Sequence, residues 1–143
     1  MLIRDVLEHK GSSVVTVKPS DSVLAAARVL VEHGIGSAVV VEGESVVGIV
    51  TERDVLRLTA DDPARLETAR VSDCMTSELA IAAPTQSVND GMSVMTRRRI
   101  RHLPVMDEGR LIGLVSIGDL VNAILTKLAD ENQWLRDYVQ GGG

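Results

Sequence analysis

The chain has 143 residues, a formal charge of −5 and 45% apolar residues, with one Trp, one Tyr, one Cys and no Phe. That size and composition support one compact domain or a tight pair of half-domains with an aliphatic core. The acidic balance argues against a general nucleic-acid surface, the single Cys74 rules out an internal disulfide and a multi-Cys metal site, and no apolar run nears the ~20 residues a membrane helix needs.

The chain opens on Met1-Leu2-Ile3-Arg4-Asp5, which does not read as a signal peptide. With the lone cysteine, this sets the expectation of a reducing, cytoplasmic setting. A short apolar lead, Ile3 to Leu7, comes first. Val14 to Val17 predicts a strand ended by Lys18-Pro19, and Ser20 or Asp21 can cap the helix that follows. Val23, Ala26, Ala27, Leu30 and Val31 give that helix an apolar face, and Gly34 stops it. Ala38 to Val41 and Val46 to Val50 predict two strands around a Glu42-Gly43-Glu44-Ser45 hairpin. A helix follows from Glu52 through Leu58.

Thr59 to Ala69 is polar and reads as a linker, partly helical. A second lead, Val71 to Met75, resembles the first at an offset of 68. Then come a predicted strand at Leu79–Ala82, a helix from Ser87, and strands at Leu103–Met106 and Leu111–Val115. A last helix runs from Ile117 to about Val139.

The two series are one unit written twice. Residues 12–54 recur at 77–119, offset by 65 without a gap. Pro19, Ser22, Val23, Val29, Ile35 and Val40 return as Pro84, Ser87, Val88, Val94, Ile100 and Val105. Each copy reads β-α-β-β-α, and a duplicated unit buries its faces on its twin. The expected division is residues 1–60 for the first repeat, 61–70 for the linker, 71–126 for the second repeat and 127–143 for a helical extension with a glycine tail. Any site at the seam should occur twice.

Both copies end in one signature: Gly48-Ile49-Val50-Thr51-Glu52-Arg53-Asp54 and Gly113-Leu114-Val115-Ser116-Ile117-Gly118-Asp119. At a strand-to-helix junction the glycine allows close approach of another group. The hydroxyl and free N–H groups of the first helical turn can hold an anion, and the carboxylate can accept hydrogen bonds from a sugar diol. These parts suit a ribose phosphate. The same Thr51/Asp54 and Ser116/Asp119 pairs would also serve as helix capping boxes, and the signature alone leaves both readings open.

The signature, the repeat and the segments Gly34-Ile35-Gly36-Ser37 and Ile100-Arg101-His102-Leu103-Pro104-Val105 resemble a CBS domain pair, or Bateman module, over residues 3 to about 125. The resemblance implies an α/β (α+β) fold of two repeats packed about a pseudo-two-fold axis, with two clefts for adenine nucleotides: AMP, ADP or ATP, with NAD or S-adenosylmethionine in some members. It further implies a regulatory homodimer acting on a protein partner, with no catalysis. One cleft would use Ile49, Thr51, Arg53 and Asp54 against Leu79 and Ala80 for the base and Arg101, His102 and Pro104 near the phosphate. The other would use Leu114, Ser116 and Asp119 against Val14, Val15, Gly36, Ser37 and Val39. The first gathers Arg53, Arg101 and His102 where the second has Gly118, Gly36 and Ser37, so the first should favour the more charged ligand and the second a bulkier one such as NAD. The alternative is an interaction protein of the same fold with a vestigial pocket.

The remaining candidates have plainer readings. His9 and His33 are surface residues without a second ligand at metal spacing, Cys74 is a structural thiol, and Arg97-Arg98-Arg99 is a solvated helix end, with a phosphate contact as the sharper reading. No nucleophile–base constellation is visible. In the tail, Val121, Leu125, Leu128, Asn132, Leu135 and Val139 are spaced 4, 3, 4, 3, 4, which is a coiled-coil seam. The rival expectation folds that stripe back onto its own module.

Overall fold

The computed structural model of the chain describes residues 1–11 and 13–141. Ser12, where the repeat begins, and Gly142 and Gly143 of the tail lie outside the described residues.

Helix α1 spans Ile3–Lys10 and strand β1 spans Thr16–Val17. Helix α2, Val23–His33, follows, with strands β2, Ser37–Glu42, and β3, Ser45–Thr51, and helix α3, Glu52–Asp61. A 3-10 turn at Pro63–Leu66 leads to α4, Val71–Cys74, so the predicted linker is largely helical. The second copy supplies α5, Val88–Arg98, then β4, His102–Asp107, β5, Arg110–Ser116, and α6, Ile117–Gly141.

Local chemistry explains the boundaries. Ser22 caps α2, its Oγ accepting the Ala25 N–H, and Ser87 caps α5 in the same way through Asp90. Neither Ser20 nor Asp21 is the α2 cap, because Asp21 instead accepts the Lys18 N–H and turns the chain ahead of the helix. Gly34 closes α2 in the left-handed conformation expected of it (φ 60°).

The two hairpins are built alike. Ser37 pairs with Thr51 and His102 with Ser116, and both ladders shift register at the matched points Val40/Val41 and Val105/Met106. The first sheet has the order β1-β2-β3, with β1 parallel to β2. The second sheet has only β4-β5, and the predicted strand at Leu79–Ala82 reduces to one bridge, Ala82 to Val105. Proline is the reason. In the first copy the Val39 N–H donates to the Val15 carbonyl, and the matching donor in the second copy is Pro104, which has no N–H.

The lead helices are exchanged between copies. The Ile3 and Arg4 N–H groups donate to the Gln86 and Pro84 carbonyls, and the Val71 and Ser72 N–H groups donate to the matching Asp21 and Pro19 carbonyls. Ile3, Val6 and Leu7 therefore complete the core of the second copy with Met95, Leu103 and Leu120. Val71 enters the first core with Leu30, Val40 and Val50.

This exchange explains the signature glycines. A Cβ on Gly48 would stand 2.7 Å from Met75 Sδ and 2.9 Å from the Thr76 carbonyl oxygen. One on Gly113 would stand 2.5 Å from Leu7 Cδ2. The group that approaches each strand at these glycines is the crossing lead segment, and the crossing carries the pseudo-two-fold relation through both copies.

Helix α6 departs from its partner α3. Leu120 is buried and Ala123 and Ile124 still pack on the second core, but from Leu125 onward the helix leaves the body and its large apolar side chains are exposed. Among the described residues no helix is long and apolar enough to cross a membrane.

Candidate functional site

Two cavities flank the seam, each ending on one signature. The first, about 310 Å³, is lined by Ile49, Thr51, Arg53 and Asp54 from one copy and by Leu79, Ala80, Arg101 and His102 from the other. The second, about 340 Å³, is lined by Leu114, Ser116 and Asp119 and by Val14, Val15, Gly36 and Ser37. Two expected residues reach neither cavity. Pro104 and Val39, each other's repeat mates, are fully buried on the inner strands. Pro104 acts there through its backbone: its carbonyl accepts the Ala82 N–H, and it has no N–H to offer the Ala80 carbonyl beside the first cleft.

In both clefts the hydroxyl and the carboxylate form a complete capping box. The Thr51 N–H donates to Asp54 Oδ2 (2.9 Å) and the Asp54 N–H to Thr51 Oγ1 (3.2 Å). The Ser116 N–H donates to Asp119 Oδ2 (2.8 Å) and the Asp119 N–H to Ser116 Oγ (3.1 Å). The caps set the carboxylates rigidly at the cavity wall. Among the described residues neither Oδ1 atom has a partner, so each carboxylate keeps an oxygen to accept from a bound hydroxyl.

The clefts differ sharply in charge. Arg57 and Arg99 join Arg53 and Arg101 in the first, together with Glu52 and Glu78. Among the described residues none of the four guanidiniums is in an ion pair. Their repeat mates are Asn122, Gly34, Gly118 and Gly36, which carry no charge. Arg99 closes α5 with φ 54°, the left-handed conformation that Gly34 adopts in the first copy. Of the Arg97-Arg98-Arg99 run, Arg99 is the one at a cleft. An arginine held where its mate is glycine stores backbone strain of about 1 kcal/mol.

Among the described residues one cation lines the second cleft, and it lies outside the segment that recurs at the offset of 65. Lys10 Nζ pairs with Asp119 Oδ2 at 2.6 Å and donates to the Leu114 carbonyl at 2.7 Å. Lys10 falls among the extra residues that separate the first lead from its repeat and has no counterpart in the other copy, whereas Glu78, the repeat mate of Ser13, brings a negative charge beside the first cleft. Burial alone would raise the Asp119 carboxyl, but the Lys10 ammonium and the Ser116 N–H outweigh it and hold the group below its ordinary value. Ser37 is 2% exposed, and its Oγ has no hydrogen-bond partner among the described residues. A buried hydroxyl left open beside a cavity is a place for a ligand's polar atom.

His102 borders both clefts. Burial lowers its pKa from 6.5, with Lys10 and Arg101 adding to the shift against Asp119 and Glu52. The ring is therefore neutral at neutral pH. Cys74, half-buried in α4, is pushed up by burial and further by Asp54 and Asp73, so the thiol stays protonated.

The sequence reading missed Lys10 and Arg57, and it named Arg99 only within the basic run, with a phosphate contact as the sharper reading. Arg57 sits one helical turn beyond Arg53 and so had a spacing signal, whereas Lys10 lies in the extra residues between lead and repeat and had none. Arg99 had only its place at the end of the basic run.

The family model of the CBS domain matches residues 3–61 and 71–126. Among curated proteins, CBS domain-containing protein CBSX3, mitochondrial, of Arabidopsis thaliana is 38% identical over 149 residues, covering 98% of this chain and 72% of that protein. Among solved structures, the CBS-domain containing protein ATU1752 of Agrobacterium tumefaciens is 40% identical with a TM-score of 0.83, over 86% of this chain and 98% of that one. A CBS domain pair solved in complex with 5′-methylthioadenosine and S-adenosyl-L-methionine shares the fold at a TM-score of 0.79 and 24% identity, over 89% of this chain and 98% of that one.

Proposed function

The chain belongs to the CBS domain family, with two repeats in tandem, and from that premise we propose that it is an adenine-nucleotide-binding regulatory module that acts as a homodimer on a protein partner. One observation carries the reading. Two pseudo-equivalent cavities each end on a carboxylate already locked by its own helix cap, with a free oxygen at the wall. A preset acceptor binds a ribose diol without first losing side-chain freedom. A CBS pair of the same fold was solved with two adenosine-containing ligands, which supports the ligand class by analogy of fold.

In the first cleft, Leu79 and Ala80 offer an apolar wall for the base, Asp54 takes the ribose, and Arg53, Arg57, Arg99 and Arg101 surround the phosphate. Guanidinium pairs bidentately with phosphate, which favours AMP, ADP or ATP there. In the second, Lys10 is already shared with Asp119 and Leu114, so less free positive charge faces a ligand. That cleft suits a ligand that depends less on phosphate, NAD among them. Filling either cavity bridges the two copies and so alters the surface shown to a partner. The half-buried, protonated Cys74 fits a reducing, cytoplasmic setting.

Titration calorimetry of the whole chain with AMP, ATP and NAD tests this. Two binding events are expected, the tighter one weakening with salt, because the arginines are exposed and screened. An absence of heat with all three ligands would favour the other reading, an interaction protein in which the signature serves only as two helix caps.

A further inference from the structure

We propose that α6 pairs with the α6 of a second copy as a parallel, in-register coiled coil, held by reciprocal Glu131–Arg136 ion pairs and an Asn132–Asn132 contact. This rests on the homodimer part of the reading above and is independent of the nucleotide clefts.

The seam is exposed. Leu125 is 59% exposed, Leu128 51%, Leu135 50% and Val139 77%, so the stripe does not fold back onto its own module. With Val121 and Asn132 these residues alternate at spacings of 4 and 3. A mean period of 3.5 keeps one stripe facing a partner helix along a left-handed supercoil. The same stripe on a second copy is complementary to it by symmetry.

The charges select the partner and its direction. Val121, Leu128 and Leu135 take the d positions, and Leu125, Asn132 and Val139 the a positions. Glu131 then falls at g and Arg136 at the next e, five residues on. Residues five apart on one helix do not face each other, and among the described residues neither is in an ion pair. In a parallel, in-register pair, g of one helix faces the following e of the other. Glu131 then meets the second copy's Arg136, twice over. An antiparallel pair sets g against g and e against e and forfeits both contacts.

Asn132 points the same way. In the parallel pair it faces its own mate, and the two amides satisfy each other. In the antiparallel pair it faces an apolar d residue and is left unpartnered. Trp134 stacks on Tyr138 of its own helix, with centroids 5.7 Å apart, and Trp134 lies at an outward c position that leaves the seam clear.

From Val121 to Val139 the seam runs about 27 Å at 1.5 Å per residue, short for a free peptide. Here the helix is already nucleated, because its first turns pack on α1, α5 and β5.

Sedimentation equilibrium of the full chain tests the proposal. Glu131→Arg and Arg136→Glu should each raise the dimer Kd about tenfold, because both symmetric pairs turn from attractive to repulsive. The double variant should return to within about threefold of the parent. In a Cys74→Ser background, Asn132→Cys should form a disulfide dimer on mild oxidation, while Gln133→Cys, one position outward, should not. Single variants without effect, a double variant no tighter than the singles, or equal cross-linking at both positions overturns the tail pairing. A parent chain that dimerises regardless leaves the homodimer reading standing; a parent chain monomeric at every concentration removes both.

Discussion

Lys10 and Asp119, 109 positions apart, meet at 2.6 Å across the mouth of the second cleft. The contact exists because α1 crosses to the second copy and ends beside its signature. With a folded pKa below its unfolded value of 3.8, Asp119 contributes stability above that pH and loses it as pH falls through the folded value. Lys10→Met should therefore flatten the acid side of the stability profile below about pH 5, on down through the folded value. At neutral pH the loss should stay within about 1 kcal/mol, since the side chains are 35% and 26% exposed. Thermal melts of both proteins across that range check it. An unchanged acid limb would mean that the Ser116 N–H alone sets the group.

Asp54 has two roles in one side chain. One oxygen closes the α3 cap, and the other, without a partner among the described residues, belongs to a side chain that lines the first cleft. Asp54→Ala should lower stability by about 1 kcal/mol, the worth of a cap, and weaken nucleotide in that cleft by about 1–3 kcal/mol. Calorimetry and melting on one sample separate the two effects. Early melting with unaltered binding would reduce the carboxylate to a cap.

His102 should make phosphate binding pH-dependent. The ring is neutral in the empty protein because burial lowers its pKa. A phosphate nearby would favour the charged ring, so binding takes up a proton and AMP affinity should rise from about pH 8 to about pH 6. The same lowered pKa makes the folded protein less stable as pH falls below 6.5, where the unfolded ring protonates first. His102→Asn should flatten the affinity profile. Calorimetry in buffers of different ionisation heat would detect the proton, and identical profiles in both proteins would exclude the ring from the site.

Gly48 and Gly113 should respond unequally to alanine. The new methyl at position 48 meets the Thr76 backbone oxygen, which cannot turn aside, whereas at position 113 it meets the tip of Leu7. Gly48→Ala should cost on the order of 2 kcal/mol or more, and Gly113→Ala less, through repacking of Leu7. Denaturant melts measure both, and equal losses would show that Leu7 is as confined as backbone.

The sequence by itself determined whatever depends on neighbours along the chain. The offset of 65 displayed the duplication, alternating apolar faces located the main helices and hairpins, Gly34 marked a helix end, and the twin signatures marked both cavities. The α2 cap was misplaced by one or two residues because Ser20, Asp21 and Ser22 all carry a suitable oxygen, and only the turn geometry assigns Asp21 to Lys18. The strand expected at Leu79–Ala82 is missing because one absent N–H, that of Pro104, acts on a segment more than twenty residues earlier. Tertiary structure alone decided the rest: the exchange of lead helices, the burial of Val39 and Pro104, the entry of Lys10 into the second cleft and of Arg57 and Arg99 into the first, and the departure of α6 from the body. Periodicity reports which face of an element is apolar, whereas which distant element covers that face, and which charge comes with it, is set by packing across the whole chain.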